Sequence, residues 1–171
     1  QEKLFELTQT TETITIPNLK EKPILSINRN FSAPIVLHFD HAEIELLTLV
    51  KKDNDAFNRW EAIQKLYMRS ILSNTLLDNS VIEALREVLL DPSLDPAFKD
   101  LIFTLPAESY LYEQVSVIDP QMIHLARRKV REQLATSLLN EWVSAYDNHQ
   151  TPGPYQANAS SAGKRALKNL A

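Results

Sequence analysis

Four histidines are the residues whose chemistry would matter most if any were poised: His38, His41, His124 and His149. His38 and His41 flank Asp40, which invites a metal reading. A helical zinc site takes the form H-E-x-x-H, with two imidazoles four residues apart on one face. Here the spacing is three, at a junction between an extended and a helical pattern, and no third strong ligand is near. An ordinary junction role is expected. His124 sits beside Ile123 on an apolar stripe and is expected to be partly buried or snorkelling. His149 follows that helix, where an imidazolium would favour the helix C-terminus.

Other constellations are equally bland. Glu83 and Glu87 share one exposed helix face, whereas catalytic carboxylates oppose each other across a cleft. No G-x-S-x-G element is present. The chain has only two glycines, Gly153 and Gly163, and Gly163-Lys164-Arg165 lacks the spacing of a phosphate-binding loop. Trp60 and Trp142 fall on apolar stripes and read as core. Asn30-Phe31-Ser32 and Asn158-Ala159-Ser160 match glycosylation sequons by chance. The expectation is therefore no catalytic, cofactor-binding or metal-ligating residue.

With 171 residues, 44% hydrophobic and 23% charged, the chain suffices for one sizeable core or two small ones. Its net charge of −4 argues against nucleic-acid binding. The densest basic stretch, Arg127, Arg128, Lys129 and Arg131, alternates with apolar positions and reads as a solvated helix face. Absence of cysteine excludes disulfides and thiol catalysis. No apolar run reaches the roughly 20 residues that span a bilayer. The chain opens on Gln1 without methionine and ends at Ala171 inside a helical pattern, which predicts an excised piece of a larger protein.

The elements expected to position these residues fall into two blocks. Residues 1–40 read as strands. Leu4, Phe5 and Leu7 begin one, and Thr13-Ile14-Thr15-Ile16 alternates with the period of a half-buried strand. Ile24 to Ile27 and Ile35 to Phe39 supply two more, with Pro17, Pro23 and Pro34 at their ends. This spacing predicts part of a short antiparallel β-sandwich.

From His41 the period turns helical. Ala42, Leu46, Leu49 and Val50 form one face. Asp53, Asn54 and Asp55 offer caps before a second helix carrying Phe57, Trp60, Ile63, Tyr67 and Ile71. Ser80 and Glu83 suggest a capping box for a third helix through Leu90. Asp91-Pro92, Asp95-Pro96 and Asp119-Pro120 each resemble an N-cap followed by proline at the first helical position. The last opens one long helix, about residues 120–147, with the stripe Ile123, Ala126, Val130, Leu134, Leu138 and Trp142. Thr151 to Pro154 breaks the chain before a final helix from Ala159. The fold class expected is α+β: a β-sandwich portion at 1–40, then an α-helical array of the HEAT or armadillo α-solenoid kind at 41–171. Trp60 is expected in the core, where its loss would cost roughly 3–5 kcal/mol.

Several blocks carry a resemblance. Phe31-Ser32-Ala33-Pro34 with Ile35 and Leu37 resembles the end of a β domain in bacterial aminopeptidase N, an alanyl aminopeptidase family of the gluzincin class. Asp55-Ala56-Phe57-Asn58-Arg59-Trp60-Glu61-Ala62 is similar to that family's D-x-F-x-R-W-D/E-A helix. Val88 to Asp91, Asp95 to Ala97, Leu105-Pro106, Ile118 to Pro120, and Ser161 to Asn169 follow in the family's order. The resemblance implies a zinc-dependent parent enzyme that removes N-terminal residues from peptides. The zinc ligands and catalytic glutamate of H-E-x-x-H lie outside this chain, as does the amine-anchoring G-x-M-E-N, so no family catalytic residue maps onto any position here. The implied role is non-catalytic: to support the fold and restrict access to the cleft. Implied partners are upstream β and catalytic domains and peptide substrates, in the cytoplasm. An independent helical-repeat scaffold that binds a peptide or protein is the alternative.

Overall fold

The computed structural model describes residues 2–171. Among these residues eight α-helices follow one another: α1 (Glu43–Lys52), α2 (Ala56–Leu72), α3 (Asn79–Leu90), α4 (Pro96–Phe103), α5 (Glu108–Tyr112), α6 (Pro120–Ser137), α7 (Leu139–Asn148) and α8 (Ala159–Leu170).

The expected β-sandwich portion is overturned. Residues 2–40 hold no strand, and their one regular element is a single 3₁₀ turn at Arg29–Phe31. The period-2 signal at Thr13 to Ile16 is real as a pattern, but a strand exists only through a neighbour that completes its ladder. Within this chain the four apolar segments find no such neighbour, and Leu4, Leu7, Ile14, Ile16 and Val36 remain exposed. The fold class is all-α rather than α+β.

The helical half follows its pattern closely. On α1, Leu46, Leu49 and Val50 are buried, and on α2 Ile63, Tyr67 and Ile71 are fully inaccessible. All six residues of the stripe from Ile123 to Trp142 are buried. α1 and α2, joined by three residues, pack on each other as a helical hairpin. α2 is the central element, touching α1, α4 and α6. α3 packs on α1 and α7, and α8 closes on α4 and α7.

Helix starts obey local chemistry. Asp55 accepts from the Asn58 amide at 2.8 Å, Asp119 from Met122 at 2.9 Å, Asp95 from Ala97 at 2.7 Å and Asn158 from Ser161 at 2.8 Å. Each satisfies one of the orphan N–H groups of a first turn. Three details depart from expectation. α3 starts after Asp78, so Ser80 lies inside the helix and does not cap it. Asp91-Pro92 opens no helix: Asp91 ends α3 and folds onto the Ser93 amide and hydroxyl at 2.9 and 2.6 Å. The long helix breaks at Leu138, where φ is −118° and ψ 25°, giving α6 and α7.

Trp60 also differs from expectation. It is half-buried, 6.0 Å from the Phe57 ring, on the rim of the core rather than within it. Trp60→Ala is therefore expected to cost about 2 kcal/mol, below the 3–5 of a fully enclosed aromatic. A urea midpoint shifted by the larger amount would place the indole deeper than this.

Candidate functional site

His38 is exposed, and His41 is buried with Nε2 donating to the Leu25 carbonyl at 2.9 Å. That nitrogen is engaged by a backbone carbonyl, and among the described residues no three His, Cys, Asp or Glu side chains cluster at metal-binding distance. These residues do not fit zinc. His124 is exposed, not half-buried, and its Nδ1 lies 2.9 Å from Glu108 on α5. That bond holds the Glu108 carboxyl below its usual range. His149 Nδ1–H donates to the Ala145 carbonyl at 2.7 Å and closes the end of α7, the position expected for it.

The other residues that the sequence singles out make contacts within the fold. Glu83 faces Arg86, and Glu87 lies 2.6 Å from Lys51, both on an exposed face of α3. Arg128 pairs with Glu132 and Lys129 reaches Asn74, so the basic stretch is mainly a solvated face. Arg127 is the exception: it turns inward and donates Nε–H to the Pro106 carbonyl at 2.8 Å. Trp142 is buried edge-on to Phe103 at 4.7 Å. Gly163 is buried against α4.

What the fold does build is a network that terminates helices. With glycine nearly absent, the usual left-handed glycine after a helix is not available. Among the described residues only α2 ends in a Schellman pattern, using Asn74 at φ 51°, with Asn74 N–H on Ile71 and Thr75 N–H on Ser70. Elsewhere, side chains from neighbouring elements take the orphan carbonyls. Arg59 donates to Val50 in α1 at 2.9 Å, and Lys99 to Leu89 in α3 at 2.7 Å. Tyr67 and Gln64 donate to Ile102 and Thr104 at the end of α4, at 3.2 and 3.0 Å. Burial pushes the Lys99 ammonium below its ordinary pKa, with the nearby Asp91 charge partly opposing it. Gln133 on α6 clamps the connector before α3, accepting from Leu77 N–H at 2.9 Å and donating to Leu77 C=O at 2.8 Å.

A second polar cluster seats the entering segment. Arg29 donates to Asp53 and Ser26 at 2.9 Å and to Asn54. Burial pushes the Asp53 carboxyl up, but bonds from Ser26, the Asp55 amide and Arg29 outweigh it and hold it below its ordinary value. Asp55, 3% exposed, accepts from Asn30 N–H at 2.7 Å as well as capping α2. Phe31 takes a left-handed φ of 50°, a strained value for a bulky residue, with its ring 5.1 Å from Phe57. The Asp55–Ala62 block thus joins the entering segment to the helices. Sequence reading found Asp55 as a cap but not its second partner, because Asn30 lies 25 residues away.

A helical array with its polar side chains committed to helix ends defines a repeat-type helical domain. Residues 43–171 match the family described as DUF3458_C, a domain of unknown function with ARM repeats, and the chain belongs to that family. Residues 1–40 match DUF3458, described as a domain of unknown function with an Ig-like fold, although residues 2–40 are strand-free here. The particular proteins it resembles are aminopeptidases N. The chain is 34% identical to that of Caulobacter vibrioides over 169 residues, covering 95% of this chain and 20% of that protein. It is 31% identical to the Escherichia coli protein over 176 residues, 97% of this chain and again 20% of the relative. A crystal structure of Legionella pneumophila aminopeptidase A in complex with aspartic acid superposes with TM-score 0.77 at 25% identity, over 88% of this chain and 19% of that one. The chain thus spans about a fifth of the length of these relatives, and the resemblance to aminopeptidase N drawn from its motifs holds.

Proposed function

We propose that this chain is a non-catalytic segment of a zinc-dependent, cytoplasmic aminopeptidase. It supports the fold of the whole enzyme and restricts which peptides reach a catalytic cleft made by residues elsewhere. The observation that carries this reading is the match to aminopeptidase N along nearly the whole chain but only a fifth of the relative. The local chemistry agrees. Gln64, Lys99 and Asp55 are buried and bonded to backbone groups, which makes them braces rather than reagents. The chain's own residues do not fit zinc, so no catalytic step is assigned to them. Its partners are the upstream domains of the parent chain, and peptides meet it only as a wall.

The purified chain is expected to release no chromophore from alanyl p-nitroanilide, with or without added zinc. Zinc-dependent turnover by a contaminant-free sample refutes the non-catalytic role. For the wall, the comparison is made in the parent enzyme. Loosening α8 there should raise kcat/KM for long peptides while leaving the alanyl anilide unchanged. An equal change for both substrates refutes restricted access.

A further inference from the structure

Residues 120–147 carry little local signal to bend: the one candidate is Thr136, whose hydroxyl donates back to the Glu132 carbonyl at 2.8 Å. After Pro120 the stretch contains no proline or glycine, and its apolar stripe stays in phase through Leu134, Leu138 and Trp142. Sharp helix breaks have identifiable causes, usually proline, glycine or a side chain inserted into the ladder. Yet Leu138 leaves helical geometry, with φ −118° and ψ 25°. Two side chains meet the break. Arg86, from α3, donates to the Ser137 carbonyl at 2.9 Å, pairs with Glu141 beyond the break, and is backed by Glu83 at 3.3 Å. Trp142 donates its indole N–H to the Leu134 carbonyl at 3.2 Å. In an unbroken helix the Ser137 carbonyl would accept from the Glu141 amide. Here Arg86 engages that carbonyl and the Glu141 carboxylate together.

We propose that the break between α6 and α7 is a hinge held bent by Arg86, and that releasing this side chain lets the two helices run on as one. The Trp142 indole bond is a consequence of the bend, not its cause: it falls on an oxygen that already accepts from Leu138 N–H at 3.2 Å. The latch lies at the surface, with the Arg86 side chain 29% exposed, so solvent reaches it. α7 packs on α3 and also touches α8, whose main partner is α4, so the hinge borders the final helix.

The test is site-resolved amide exchange. α7 has no side-chain N-cap, so the Leu139 and Asn140 amides begin a helix without such a partner. In Arg86→Met and Arg86→Gln they should gain ladder bonds and exchange about tenfold more slowly, with the Leu138 Cα shift becoming helical. A merely structural role for Arg86 would speed exchange instead. Glu141→Gln keeps the side chain's size, removes one of the two charges that hold Arg86, and should slow the same amides to a lesser degree. Trp142→Phe should leave them unchanged. Unchanged or faster exchange in the Arg86 and Glu141 variants, or slowing in Trp142→Phe, overturns the proposal.

Discussion

Gly163→Val is expected to detach α8 from α4 and to destabilise the chain by about 3 kcal/mol, at the upper end of the range for overpacking. A Cβ at Gly163 would stand 3.0 Å from the Ala97 amide nitrogen, 3.2 Å from the Ala97 Cβ and 3.2 Å from Asp95 Oδ1. The nearest of these is backbone. It belongs to the N-cap of α4, where Ala97 N–H donates to Asp95 at 2.7 Å, so neither partner can yield without breaking the cap. Alanine adds the same Cβ but also gains about 1 kcal/mol of helix propensity over glycine. Gly163→Ala should therefore be much milder. Valine adds two methyl groups at the same point and loses most of that propensity gain. Displacing α8 also exposes Leu167, which is fully buried. Hydrogen exchange should show loss of protection confined to α8 and the α4 N-terminus, with a lower thermal midpoint. Full protection of α8 in the valine variant would mean that α4 moves aside.

Asp55→Ala is expected to have the other large effect, about 3–4 kcal/mol. The N-cap alone accounts for about 1 kcal/mol. Removing the carboxylate also strands the buried Asn58 side-chain amide, at about 1–3 kcal/mol, and frees the Asn30 amide, which is near solvent and loses less. Asp55→Asn retains an acceptor for Asn58 and should lose roughly 1–2 kcal/mol. For a chain of this size the alanine loss corresponds to a melting point lower by about 10 °C. A shift of only 2–3 °C would mean that water replaces the carboxylate.

The sequence made the helical half legible wherever the cause was local. Asp55, Asp95 and Asp119 cap the helices they precede, because the side chain and its target amide are two or three residues apart. The stripe from Ile123 to Trp142 announces its buried face by spacing alone. It could not announce the break at Leu138, because both arms keep the same phase and the arginine that meets the bend sits 51 residues away from Ser137. The same distance hid Gln64 and Gln133, whose carbonyl partners lie 40 and 56 residues off. The alternation at Thr13 to Ile16 misled for the opposite reason. It states a preference for a sheet, and preference without a pairing neighbour does not make a strand. His124 followed suit: adjacent to a buried isoleucine in sequence, it points to the Glu108 side of the helix rather than into the core.

The way the helices end has a consequence for how such a molecule comes apart. In many stacked-repeat proteins each unit closes its own termini, so one can be deleted or duplicated with a roughly additive change in stability. Here the exits of α1, α3 and α4 are closed by Arg59, Lys99, Tyr67 and Gln64, donors borrowed from other helices. Stripping off α2 or α4 would leave bare carbonyls on its neighbours, so α1 to α4 should melt as a single event and trimming one of them should unravel the next.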